Sequence, residues 1–291
     1  NANIPAEGQV YVSGYEMPHL TTGNTYVEHV VSADGKKVLN YAIEWNGKMN
    51  HSRWVAYSYD AITGVKNVNR SDDAWAVDPL LPVEMQVDNS WHTNDGFDRG
   101  HLCASDDRVF SSEANKQTFY FSNLSPQFNS FNGGYWVTFE QLVNSWVRKD
   151  NAFGSVYDKI YVAKGGTLDK LLVNYKGTSP GGDGVLPATD KDGFTSKGLP
   201  VPQYYFIAVL AHRANQPADV VSAYQAIGFW VEHRDDYGYT FDHQLKREDA
   251  KAKAVSIDEL ESQTGIDFSC NLPDYIEDDV ESGCQVTDWT W

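Results

Sequence analysis

The stretch that decides how this chain reads is DGFDRGHLCASDDR, residues 95–108, where an acid, a base, a glycine and a histidine stand together as Asp98-Arg99-Gly100-His101. Its glycines and aspartates read as a loop that buries little. Its two flanks differ. Upstream, QVYVSGY (9–15), TYVEHVV (25–31), VLNYAIEW (38–45) and SRWVAYSY (52–59) are β-rich runs separated by Gly, Asn and Asp turn signals, and read as antiparallel strands. Residues 66–97, rich in Asn, Asp and Pro, lose that periodicity. Downstream lies NLSPQFNSFNGGYWVTFEQL (123–142), and Trp136, Phe139, Val143, Trp146 and Val147 recur at helical spacing after Asn132 and two glycines. That spacing predicts a helix with one buried face.

Beyond it, KIYVAKGG (159–166) reads as a strand, 177–200 as a long Gly/Pro/Asp loop, and QYYFIAVLAH and SAYQAIGFWVEH as two more strands. SIDELESQTG has Ser256 and Glu259 in capping-box spacing and Gly265 as a stop, so a short helix is expected there. Neither an internal repeat nor a low-complexity segment is present. The expectation is an α+β fold, an antiparallel sheet core with packed helices, as a single domain over 1–291. Residues 274–291 hold six acids and no Lys or Arg, and read as a solvated acidic tail.

The predicted helix carries the second half of a constellation. Asn132 would sit just before it and Glu140 two turns along; eight residues at about 100° each bring Glu140 within roughly 80° of the Asn132 face. Phosphodiester hydrolysis needs a base to take a proton from water, a divalent cation to neutralise the phosphorane and a fixed cation on the non-bridging oxygens. His101, a metal held near Asn132, and Arg99 supply those three parts. Taken alone, Asn132 reads equally well as a helix cap.

DRGH, followed some way on by Asn123, Gln127, Asn132, Trp136 and Glu140, resembles the DNA/RNA non-specific endonuclease family, the sugar-non-specific ββα-metal nucleases. The similarity runs over about 40–273 and takes in Val201-Pro202 and IDELESQTGIDF. The resemblance implies a ββα-metal motif with His101 as general base, Asp98 positioning its loop and Arg99 near the scissile phosphate. It implies Asn132 as the one direct protein ligand of a magnesium ion, with manganese a substitute, and Glu140 holding that ion's waters. Asn123 would support His101 or the phosphate, and Arg70 resembles an upstream phosphate-binding arginine. Cys103, Ala104 and Ser105 depart from the family's Leu-Ala-Pro-like continuation; Asn144 stands where an arginine can occur, with Arg148 one turn further as its replacement on substrate.

A net charge of −17 argues against a nucleic-acid partner, because phosphate backbones usually meet basic surfaces. The distribution weakens that objection: residues 98–149 balance Arg99, Arg108, Lys116, Arg148 and Lys149 against Asp98, Asp106, Asp107, Glu113 and Glu140. The longest apolar run, YYFIAVLA, is too short to span a bilayer. Cys103, Cys270 and Cys284 fit no zinc spacing; a Cys270–Cys284 bridge with Cys103 single, or three buried thiols, both fit. The leading expectation is a metal-dependent endonuclease cutting DNA and RNA, secreted or periplasmic, or surface-attached through a segment outside this chain. An inactive nucleic-acid-binding relic and an aromatic-rich surface-binding module are the alternatives. The sequence leaves a homodimer and an inhibitor protein open as partners.

Overall fold

The structure is a computed structural model that describes residues 2–72, 74–149, 153–238, 247–284 and 286–291. Its strands are β1 (Thr25–Ala33), β2 (Lys36–Asn46), β3 (His51–Tyr59), β4 (Asp98–His101), β5 (Leu124–Gln127), β6 (Tyr157–Gly166), β7 (Tyr204–Arg213), β8 (Tyr224–Glu232) and β9 (Ala254–Val255). Its helices are α1 (Ser112–Gln117), α2 (Val137–Asn144), α3 (Arg247–Lys251), α4 (Ile257–Thr264) and α5 (Asp274–Ser282). Seven strands form one antiparallel sheet in the order β1-β2-β3-β6-β7-β8-β9, and β4 pairs only with β5 in a separate ribbon. The α+β expectation, a large antiparallel sheet with packed helices, holds.

The sheet is buried on both faces, which is why its central strands read as continuous apolar runs rather than alternating ones. In β7, Tyr205, Ile207, Val209 and Ala211 join one core while Phe206, Ala208 and Leu210 join the other. The first face is covered by the β4–β5 ribbon and by Phe131, Trp136, Phe139, Leu142 and Trp146 of the central helix. The second is covered by α4 and α5 through Ile257, Leu260, Ile276 and Val280. The Ser256 side chain caps α4 by accepting from the Glu259 amide, and Gly265 ends it in the left-handed region at φ 62°, as the sequence predicted.

Four expectations are corrected. QVYVSGY is a run of turns: Gly14 N–H bonds Tyr11 C=O at 2.8 Å, and the Val10 and Tyr11 amides bond the Glu28 carboxylate, which leaves no ladder to join. DRGH is a short strand, not a loop, because β5 lies beside it with Asp98 opposite Gln127 and His101 opposite Leu124. The acidic C-terminus is no solvated tail: Ile276 and Val280, four apart, bury one side of α5, and Trp289 packs against Trp146 with ring centres 4.3 Å apart. The Cys270–Cys284 bridge does not form. The Cys270 thiol faces Met17 C=O at 3.5 Å, whereas Cys284 packs on the first core.

Candidate active site

The ribbon places the DRGH side chains by strand alternation, and a glycine is required among them. A Cβ on Gly100 would fall 2.1 Å from Gln127 Oε1, because the buried Gln127 side chain of the facing strand fills the space a side chain at position 100 would take. Asp98 accepts from Asn129 Nδ2 at 3.0 Å and from Asn132 Nδ2 at 3.0 Å. Asn132 lies inside the helical run, in a π-helical turn (Phe131–Trp136) that leads into α2, rather than before it. Such wide turns recur at functional sites.

Asp98, Arg99, His101, Asn132 and Arg70 line one cleft of about 700 Å³, together with Trp75, Asn89, His92 and Asp183. The Arg99 guanidinium lies 4.3 Å above the Trp75 ring centre and donates to Asn89 Oδ1 at 2.9 Å, which fixes its plane. Arg70 lies 4.9 Å over Phe119. The His101 ring packs between Trp75 and Phe119, at 5.5 and 5.0 Å between centres, and its Nε2 is buried without a hydrogen-bond partner among the described residues. Burial, then the neighbouring Arg70 and Lys164 charges, lower its pKa to about 3, so the imidazole is neutral at any ordinary pH. The long loop predicted at 177–200 forms one wall. Asp183 accepts from the Asp95 and Gly96 amides at 3.1 and 3.0 Å, and Gly96, at φ 85°, has no room for a Cβ against Pro187.

Three expected site residues stand outside the cleft. Asn123 is fully buried and spends its amide on backbone: Oδ1 accepts from Cys103 N–H, and Nδ2 donates to Cys103 and Thr118 C=O. It clamps the chain just past His101 and does not reach a phosphate. Arg148, expected on substrate, is instead committed to Asp106 at 3.1 Å, Asn144 Oδ1 at 2.8 Å and Gly64 C=O. Glu140 gives Oε1 to Lys164 at 3.2 Å, while no donor among the described residues bonds its Oε2.

That last contact exposes residues the sequence reading missed. Lys164 Nζ sits between Asp107 at 2.9 Å and Glu140 at 3.2 Å, almost fully buried. Burial alone would depress the ammonium; the two carboxylates outweigh it and hold the lysine above its ordinary value. Asp107 is held low despite burial by Lys164 and by the Tyr57 and Tyr59 hydroxyls, at 2.5 and 2.8 Å. Glu140, pushed up by burial and by Asp107, is the group of the three nearest to protonation. A lysine in the middle of the apolar run KIYVAKGG was the available signal. Trp75 had none beyond its aromatic type.

The family model for DNA/RNA non-specific endonucleases matches residues 22–275, and with it the ribbon and helix just described. The chain belongs to the DNA/RNA non-specific endonuclease family. The match begins ahead of the 40–273 expected from motifs, taking in β1. Among curated relatives, a protein named Nuclease from Nostoc sp. is 27% identical over 83% of this chain and 75% of its own length. "Nuclease EXOG, mitochondrial" from Xenopus laevis is 24% identical over 82% of this chain, which spans 59% of that relative's length. Nuclease C1 of Cunninghamella echinulata is 30% identical over 47% of this chain and 55% of its own. Among solved structures, a chain from the EndoG/EndoGI complex superposes with a TM-score of 0.58 at 18% identity, covering 85% of this chain and 88% of that one. The ββα-metal nuclease fold is therefore the fold of this endonuclease-family chain.

Proposed function

We propose that the cleft hydrolyses phosphodiester bonds of DNA and RNA, with His101 as general base, Arg99 and Arg70 on the phosphate, and a hydrated magnesium ion bound directly through Asn132. The observation that carries this reading is convergence: Arg70, the β4 residues Arg99 and His101, and Asn132, from three separate segments, meet in one cleft. A neutral imidazole can take a proton from water, and His101 is held neutral. Asp98 accepts from the Asn132 NH2 group, which leaves Oδ1, with no donor on it among the described residues, as an oxygen suited to a hard cation. A cation there would supply positive charge where the phosphorane gains negative charge. Magnesium keeps most of its waters, so one neutral ligand suffices, with manganese a substitute. Glu140, outside the cleft lining itself, would hold water towards that ion through Oε2, which no donor among the described residues bonds.

Arg99 and Arg70 meet phosphate oxygens, and backbone contacts carry no sequence information, so DNA and RNA are both substrates. An inhibitor protein that covers the cleft would parallel the EndoG/EndoGI complex. Exported or organellar residence would keep an unselective hydrolase from the cell's own nucleic acid. The test is digestion of plasmid, single-stranded DNA and RNA with magnesium and with EDTA, by the parent and by His101→Ala and Asn132→Ala. Cleavage is expected only with metal, with losses of about a hundredfold or more in both variants. Full activity in excess chelator removes the metal from the reading, and His101→Ala within tenfold of the parent removes the base.

A further inference from the structure

On the sheet face away from the cleft, α4 and α5 turn acids towards one another. Asp258 and Glu261, three residues apart, share one side of α4, and Glu281 comes from the last turn of α5. One carboxylate oxygen from each lies within 4.8 Å of the others. Glu281 is only 6% exposed, and its Oε1 is buried with no hydrogen-bond partner among the described residues. A buried carboxylate oxygen without a donor is costly, and no Lys or Arg pairs with any of the three among the described residues. Glu281 also meets the negative end of its own helix. Burial, then the nearby Glu261 and Glu277 carboxylates, push Glu281 up to about 9; burial, opposed by the Phe268 amide, leaves Glu261 raised to about 7.

We propose that Asp258, Glu261 and Glu281 hold a divalent cation of calcium's size, at a structural site separate from the cleft that ties α4 to α5. The donors are all carboxylate oxygens, which suit a hard cation and not zinc or copper. Three protein carboxylates on one ion suit calcium, whose flexible shell takes many oxygen ligands, better than magnesium, which keeps most of its waters and is held by one or two carboxylates. The Phe268 N–H donates to Glu261 Oε1 at 2.6 Å and so fixes that carboxylate before a cation arrives. Asp258 is exposed, which lets water complete the coordination shell.

The test uses full-length protein carrying Asn132→Ala, which removes the cleft's proposed ligand, stripped of metal and titrated with calcium by calorimetry and by melting. One saturable site is expected, with a melting temperature raised by about 5 °C at calcium a hundredfold above Kd. Adding Glu281→Gln should abolish the calcium shift, yet leave the protein at least as stable as its parent in chelator at pH 8, since the amide is neutral without having to take up a proton on folding. Asp258→Asn, at an exposed position that cannot endanger the fold, should weaken calcium at least tenfold. Magnesium should produce less than half the calcium shift. If calcium neither binds nor shifts melting, or shifts the Glu281→Gln protein as it does its parent, the three acids share protons and not a cation.

Discussion

Lys164→Met removes one charge from a buried three-group cluster while keeping the length of the side chain. Asp107 loses its ion pair but keeps the Tyr57 and Tyr59 hydroxyls, Asn144 Nδ2 at 2.9 Å and the Ala104 N–H at 3.1 Å, so it stays ionised. Glu140 has no such reserve, because Lys164 is its one donor among the described residues. Breaking a buried pair by removing one partner costs about 3–5 kcal/mol, and the lower end applies here because Glu140 escapes by taking a proton. Its pKa, already raised in the parent by burial, rises further in the variant. A raised carboxyl favours the fold below its unfolded value and loses that contribution as pH climbs through the folded one. The deficit of Lys164→Met therefore deepens between pH 6 and pH 8.5, by up to about 1.4 kcal/mol per unit. Urea unfolding followed by tryptophan fluorescence at both pH values measures it, and the Lys164→Met/Glu140→Gln double variant should recover most of the loss. A deficit that is flat with pH, or equal in the single and double variants, would refute the electrostatic reading of the cluster.

Four further outcomes are expected. Histidine's ordinary pKa would put an acid limb in kcat/KM near 6.5, but with His101 lowered to about 3 the base itself should add no limb between pH 8 and pH 5, and a limb near 6.5 that persists in Glu140→Gln would contradict the buried base. Burial also lowers His51 to about 4, and His92 and His233 to about 3. Depressed values stabilise the fold above about 6.5 and lose that contribution as pH falls towards them, so urea midpoints should drop from pH 7 to pH 5, by up to about 1.4 kcal/mol per unit for each histidine. Asn123→Ala strands two backbone carbonyls and one N–H in the core and should cost about 3 kcal/mol by calorimetry. Arg70→Ala and Arg99→Ala should each weaken binding of any nucleic acid and reduce the slope of log Kd against log salt by about one, measured with a catalytically silent His101→Ala protein.

The strands from residue 25 onward were legible because aromatic and β-branched runs of that length, bounded by turn residues, have few other ways to bury themselves, and α4 was legible because Ser256 and Gly265 mark its ends. QVYVSGY carries the same composition as a strand; what denies it that role is the Glu28 carboxylate taking its amides, a contact across the sheet edge that no local pattern encodes. The acidic C-terminus failed for a similar reason, since counting charges hid Ile276 and Val280 on one side of α5. In the site, His101, Arg99, Asp98 and Asn132 were readable because motif spacing carries them together. Glu140 and Arg148 were placed by helical angle, yet each is claimed by a partner distant in sequence, Lys164 in one case and Asp106 in the other.

The excess of acid and a polyanionic substrate are compatible because the charge is layered. Of the acids behind the −17, Asp258, Glu259, Glu261, Asp274, Glu277, Asp278, Asp279 and Glu281 lie on α4 and α5, against the second face of the sheet. The cleft opens on the first face, beyond the sheet and the layer packed on it. Packed layers stand about 10 Å apart, whereas screening in physiological salt sets in over about 8 Å. A phosphate in the cleft is therefore governed by what lies within one screening length, the Arg70 and Arg99 guanidiniums with Asp98 and Asp183 around them, and hardly by the helices behind the sheet. Net charge describes the far field of this protein, and the substrate is met in the near field, where a direct cation ligand on Asn132 would shift the local balance to positive.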